Sequence, residues 1–162
     1  MSKNLIQRVQ VNIPFSMLYD THLDLFLENQ INPEIGIDAR ALERFSLADF
    51  QSIADKLGTY SPNITLHGPF IDLSPGSLEP YVREATRRRF EQLLELIPVF
   101  NPQSVVCHAN YERDRYGFHR EEWIENSLEI WSWLAEEIDA RGATLMLENV
   151  YENNPEDIGV LF

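Results

Sequence analysis

The chain has 162 residues, 44% apolar and 24% charged, an ordinary globular composition with room for one domain and a sizeable core. Its 26 acidic residues outweigh 13 basic ones to a net charge of -13, which opposes binding along a phosphate backbone, since Lys and Arg drive that binding by releasing counterions. The single cysteine, Cys107, excludes an intrachain disulfide and fits a reducing cytoplasm.

No window approaches the roughly 18 apolar residues of a membrane span, and the opening MSKNLIQRVQ lacks the apolar stretch of a signal peptide. A cytoplasmic protein with a small-molecule partner is expected, with neither nucleic acid nor membrane. Arg83, Arg87, Arg88 and Arg89 form a local basic cluster, but their spacing fits a solvated helix face.

A first strand spans roughly residues 9 to 14, where Val9, Val11 and Ile13 alternate with Gln10 and Asn12 until Pro14 ends the run. A helix follows from about Asp20 to Gln30. Glu34 to Asp38 reads as a short second strand. Ser46, with Asp49 three residues on, opens a second helix whose apolar face is Phe50, Ile53, Ala54 and Leu57, with Gly58 suited to its end. The third strand is Asn63 to His67, and the long loop GPFIDLSPGSLEP leads from it to a helix at about Tyr81 to Ile97. The fourth strand, Ser104 to His108, precedes a polar and aromatic loop around Tyr111 to His119. In the next helix Trp123, Ile124, Leu128, Trp131, Leu134 and Ile138 recur at three- and four-residue steps until Gly142. Thr144 to Glu148 is the fifth strand, and Pro155 fits the first turn of a fifth helix.

Five alternating βα units build a parallel sheet with helices outside. A five-stranded doubly wound sheet would be complete at this length, whereas a (β/α)8 TIM barrel takes about 250 residues. Against the open sheet, no Gly-rich phosphate loop follows the first strand, and Phe162 falls inside an apparent helix with no cap or tail. The expectation is an α/β (β/α)8 barrel of which residues 1–162 are the N-terminal portion, a truncated chain.

Side chains alternate across a strand, so Thr65 and His67 share one face, Val106 and His108 another, and Met146 and Glu148 a third. His67, His108 and Glu148 each close their strand. Neighbouring parallel strands lie about 4.8 Å apart with their C-terminal ends together, so the three can converge on one point at the rim where barrels place their sites. Two imidazoles and a carboxylate suit a divalent metal ion such as Zn, Mn or Fe, able to polarise an oxygen or lower the pKa of bound water toward about 7. Each residue alone has a plainer reading, the histidines as satisfied polar groups and Glu148 as a cap or ion-pair partner; coincidence on three successive strands favours a site. His22 and His119 read as surface or cap residues, and Cys107, facing away from His108, as a core thiol. Asp38 reads equally as a rim group or a cap. The tryptophans of the fourth helix lie at core spacing.

The segments LHGPF, VVCHANY and LMLENVYE, whose His67, His108 and Glu148 are spaced by 41 and 40 residues, resemble those of the xylose isomerase-like barrels. That family contains sugar phosphate isomerases and epimerases and the endonuclease IV type of apurinic endonuclease. The resemblance spans essentially the whole chain. It implies that His67 and His108 are metal ligands and that Glu148 is a bridging carboxylate, with a divalent ion (Zn, Mn or Mg) as cofactor. Asn110 and Asn149, beside two of the ligands, are the candidates for substrate binding. Ala109 and Asn110 follow His108 where the endonucleases usually have Pro-Gly. The remaining family ligands, on strands six to eight, would lie beyond Phe162, so the chain alone is expected to be inactive.

Three functions follow as expectations. The first is a metal-dependent isomerase or epimerase of a small sugar or sugar phosphate, working through an enediolate, with Glu148 both holding metal and exchanging protons. The second is phosphodiester hydrolysis, of damaged DNA or of a small phosphodiester such as a cobamide nucleotide loop. The third is a non-enzymatic open α/β binding domain in which both histidines are structural.

Overall fold

The computed structural model describes residues 8–162; residues 1–7, on which much of the reading of the N-terminus rests, lie outside it. Five parallel strands, β1 (Gln10–Pro14), β2 (Asn32–Gly36), β3 (Thr65–His67), β4 (Ser104–His108) and β5 (Thr144–Glu148), form one sheet in the order β1-β2-β3-β4-β5. A doubly wound sheet reverses its strand order at a switch point. This sheet never reverses, and its unbroken progression is that of a barrel wall.

Helices α1 (Leu23–Asn29), α2 (Leu47–Leu57), α3 (Pro80–Phe100) and α4 (Arg120–Asp139) cover the outer face. Ile13, Ile35, Leu66, Val105 and Cys107 point outward into this layer and are buried against Phe50, Leu57, Phe90, Leu93, Trp131 and Leu134. Phe15, fully buried, has its ring 4.2 Å from that of Phe50 and 5.0 Å from that of Phe45. The inner face carries the layer Asn12, Glu34, Thr65, Ser104 and Thr144, and above it Pro14, Gly36, His67, Val106 and Met146.

The start of α2 is the expected capping box: Ser46 Oγ accepts from Asp49 N at 3.3 Å, and Asp49 Oδ2 accepts from Ser46 N at 2.9 Å. α3 begins at Pro80, in the first turn where a missing N–H costs nothing, and carries Pro98 in its last turn before Asn101 closes it at φ +45°. Gly142, at φ +82°, turns the chain from α4 toward β5. The described helices include none long and apolar enough to cross a membrane. The arginines of α3 are spread along its solvated face, Arg87 pairing with Glu91, Arg88 with Glu84 and Arg89 with Glu43.

The structure differs from the sequence reading at five places. The helical run after β1 starts at Phe15, not Asp20, passing through a π-helical turn at Leu18–His22 before α1. β2 lies two residues earlier than expected. Asp38 caps an additional short helix, Ala39–Arg44, its carboxylate accepting from Ala41 N at 2.6 Å. β3 keeps only its last three residues. The loop after β4 holds a helical turn, Arg113–Tyr116, and a 3-10 turn, Gly117–His119. The fifth helix, α5 (Pro155–Ile158), starts at Pro155 as the sequence suggests.

Candidate metal centre

β3, β4 and β5 deliver their last residues to one point. His67 Nε2 lies 3.1 Å from His108 Nε2, and each of these nitrogens lies 3.4 Å from Glu148 Oε2. His108 is in register with Glu148, whereas His67 is in register with Val106, one inward-facing layer lower. The offset lets the imidazoles meet edge to face, at an interplanar angle of 89°, rather than stack. Both imidazoles are buried, and the Glu148 side chain is half exposed toward the inner face. The Phe70 ring packs 4.1 Å from that of His108 and 5.5 Å from that of His67.

The ring chemistry suits a cation. His67 Nδ1 lies 3.0 Å from the Gly68 carbonyl; donating to it leaves Nε2 as a bare lone pair aimed at the cluster. Burial is the main force pulling the pKa of His108 below its usual value, with His67 adding to it and Glu148 and Glu152 opposing, so the neutral, ligand-competent ring is favoured. Donor atoms bound about 2.0–2.2 Å from a tetrahedral ion sit roughly 3.3 Å from one another. The observed edges of 3.1, 3.4 and 3.4 Å meet that requirement. His67, His108 and Glu148 can therefore hold a divalent ion.

Asn110 and Asn149 lie apart from this triangle. Asn110, buried at φ +62°, donates from Nδ2 to the Leu73 carbonyl at 3.2 Å and lines a cavity with Asp72, Ser74, Arg115 and Tyr151. Asn149 is exposed and lines a separate cavity with Asn153, Asn154 and Phe162. A third cavity, of about 330 Å³, adjoins both imidazoles and is walled by Asn12, Asp38, Phe70 and Ile71. His22 and His119 are outside the cluster, the former with Nδ1 2.6 Å from Thr21 Oγ1. Cys107 is a buried core thiol whose pKa burial pushes up to about 12.

Two residues of the site escape a reading of the strands, since both lie in loops. Phe70 follows the LHG of β3 by two residues and packs on both rings. Glu152 is buried, with Oε1 accepting from Tyr111 N at 2.7 Å and Oε2 from Val150 N at 2.8 Å and Tyr151 N at 3.0 Å. A second carboxylate four residues after Glu148 was the available signal.

The family model for the xylose isomerase-like TIM barrel matches residues 23–159. The TTHB071 protein of Thermus thermophilus, soaked with ZnCl2, superposes with a TM-score of 0.78 at 25% identity, over 94% of this chain and 60% of its own. A D-tagatose 3-epimerase-like protein gives 0.74 at 19% identity with the same coverage. D-psicose 3-epimerase from Clostridium cellulolyticum gives 0.67 at 16%, again over 94% of this chain and 60% of its own; at such identities the likeness is one of fold. An uncharacterized protein of Methanocaldococcus jannaschii is 28% identical over 91 residues, 56% of this chain and 31% of its own. The chain thus spans 60% of these solved structures and about a third of that relative.

Proposed function

The chain belongs to the xylose isomerase-like TIM barrel family, and on that footing we propose that it carries the metal-binding strands of a divalent-metal-dependent isomerase or epimerase of a small sugar or sugar phosphate. The observation that carries the reading is the triangle of donor atoms with edges of 3.1–3.4 Å. Several solved structures of the same fold are epimerases, which supports it.

His67, His108 and Glu148 hold the ion, whether Zn, Mn or Mg. When bound, a divalent ion supplies Lewis-acid polarisation of a substrate oxygen. Glu148 turns Oε2 to the imidazoles, and its Oε1 has no hydrogen-bond partner among the described residues. That oxygen would take a proton from the carbon beside the substrate carbonyl and return it to the former carbonyl carbon, the hydroxyl proton passing to the former carbonyl oxygen; epimerisation would need a second acid on the opposite face of the carbon, which none of these residues supplies. Phe70 shields the two rings from water on one side. The cavity of about 330 Å³ beside them suits a small polyhydroxylated molecule, with Asn12 and Asp38 as its polar wall. Asn110, whose cavity shares Phe70 and Ile71 with this one, meets a more distant part of the substrate, whereas Asn149 lines a separate cavity. The partner is a small molecule and not nucleic acid, in keeping with the net charge of -13.

Phosphodiester hydrolysis is the second reading, favoured by two imidazole donors, which suit Zn(II). Solvent-deuterium exchange by the full gene product separates the two. The isomerase reading expects metal-dependent entry of deuterium into a ketose or ketose phosphate from D2O, followed by NMR and abolished in Glu148→Gln. Release of p-nitrophenol from a p-nitrophenyl phosphodiester without any such exchange contradicts it.

A further inference from the structure

We propose that Glu152 is a positioning residue of the metal triad, clamping the turn that leaves β5 onto the turn that leaves β4 and so setting the distance between Glu148 and His108. The inference rests on the metal reading of those two residues. One carboxylate oxygen accepts from Tyr111 N, three residues past His108; the other accepts from Val150 N and Tyr151 N, two and three residues past Glu148. One side chain thus gathers both turns from opposite sides.

Its setting is unusual for a carboxylate. Glu152 is 7% exposed, and no ion pair among the described residues includes it. Three backbone N–H groups compensate for its burial with directional hydrogen bonds. Gathering two loops in this way matters because β5 is paired only with β4 among the described strands. Above the last register pair, His108 and Glu148, the backbone link between the two strands is a single hydrogen bond from Ala109 N to the Glu148 carbonyl, 3.1 Å long. That bond fixes the height of Glu148, but it leaves the turn beyond free to swing its side chain away from the imidazoles. The Glu152 clamp removes that freedom. Outer groups that orient ligands in this manner are worth about 10- to 100-fold in metal affinity.

The test is a calorimetric Zn(II) titration of the wild-type chain, Glu152→Gln and Glu152→Asp, paired with visible spectra of the Co(II)-loaded proteins and circular dichroism of the metal-free ones. In Glu152→Gln the amide NH2 must face one of the two turns, donor against donor, so one side of the clamp opens. The expected result is a folded protein whose Zn(II) dissociation constant rises about 10- to 100-fold and whose Co(II) bands shift, showing an altered donor geometry. A folded Glu152→Gln with unchanged affinity and spectrum overturns the proposal. Should that variant not fold, Glu152→Asp decides: it keeps the charge but is too short to reach both turns, and wild-type binding by it overturns the proposal equally. If neither variant folds, Glu152 is a folding residue and the positioning role is rejected. A wild-type chain that binds neither ion marks failure of the metal reading itself, a result distinct from the others.

Discussion

Two cores of different construction meet at the sheet. Between its outer face and the helices, Phe15, Leu18, Leu57, Leu93, Val105 and Leu134 are wholly buried, and contact there is apolar and non-directional. Under the loops that follow β3, β4 and β5, a smaller cluster of Tyr111, Tyr116 and Trp123 is threaded with polar links. Ser74 Oγ lies 3.1 Å from Tyr116 Oη, Asn126 donates to the Ser77 carbonyl at 3.2 Å, and Arg113 pairs with Asp157 at 2.7 Å. The large core holds the strands together and tolerates repacking; the small one fixes where the loops stand, because hydrogen bonds specify direction as well as distance. Stability and site geometry are therefore lodged in separate parts of the molecule.

The sharpest way to break that contrast is a change in each core. Phe15→Ala removes a wholly buried ring from the middle of an aromatic cluster and should cost about 3–5 kcal/mol in urea unfolding. The fraction that stays folded should bind Zn(II) as the wild type does. Gly76→Ala probes the loop core by addition: the new methyl group would run into both Trp123 Nε1 and Ser127 Oγ. Overpacking of this kind costs about 1–3 kcal/mol, and here it should also weaken Zn(II) binding, since the β3 loop must shift. Equal loss of affinity from the two variants would erase the distinction.

A smaller effect sharpens it from the other side. Tyr60 donates to the Ile31 carbonyl at 2.6 Å, and partial burial raises its pKa from 10.0 to about 12. Because the folded value is the higher one, the contribution is fully present below pH 10 and is lost as pH rises through 10 toward 12. Melting temperatures followed from about pH 8 to about 12 should fall more steeply for the wild type than for Tyr60→Phe. A parallel decline in both would show that Tyr60 contributes nothing.

How much was legible follows from the same division. β4 and β5 have the expected bounds because each is an uninterrupted run of strand formers ending at its functional residue. β2 is displaced because Asn32 and Pro33 belong to the strand while Asp38 lies past its end and caps the next helix. The run after β1 begins early because Pro14 ends the strand and starts the helix with no loop between. His67, His108 and Glu148 were visible because strand alternation alone orders them. Glu152 was not, since its role arises from contact with Tyr111, 41 residues earlier, and no local pattern encodes such a pairing. Phe70 reaches the cavity beside the imidazoles by the same kind of tertiary contact, whereas Asp38, read as either a rim group or a cap, both caps the short helix and lines that cavity.

The most direct test of the central claim is a crystal structure of the zinc-soaked protein with data collected at the zinc absorption edge. An anomalous peak is expected between His67 Nε2, His108 Nε2 and Glu148 Oε2, absent from the same experiment on His67→Ala. A wild-type crystal at saturating zinc with no peak there, or with zinc bound only elsewhere, would contradict it.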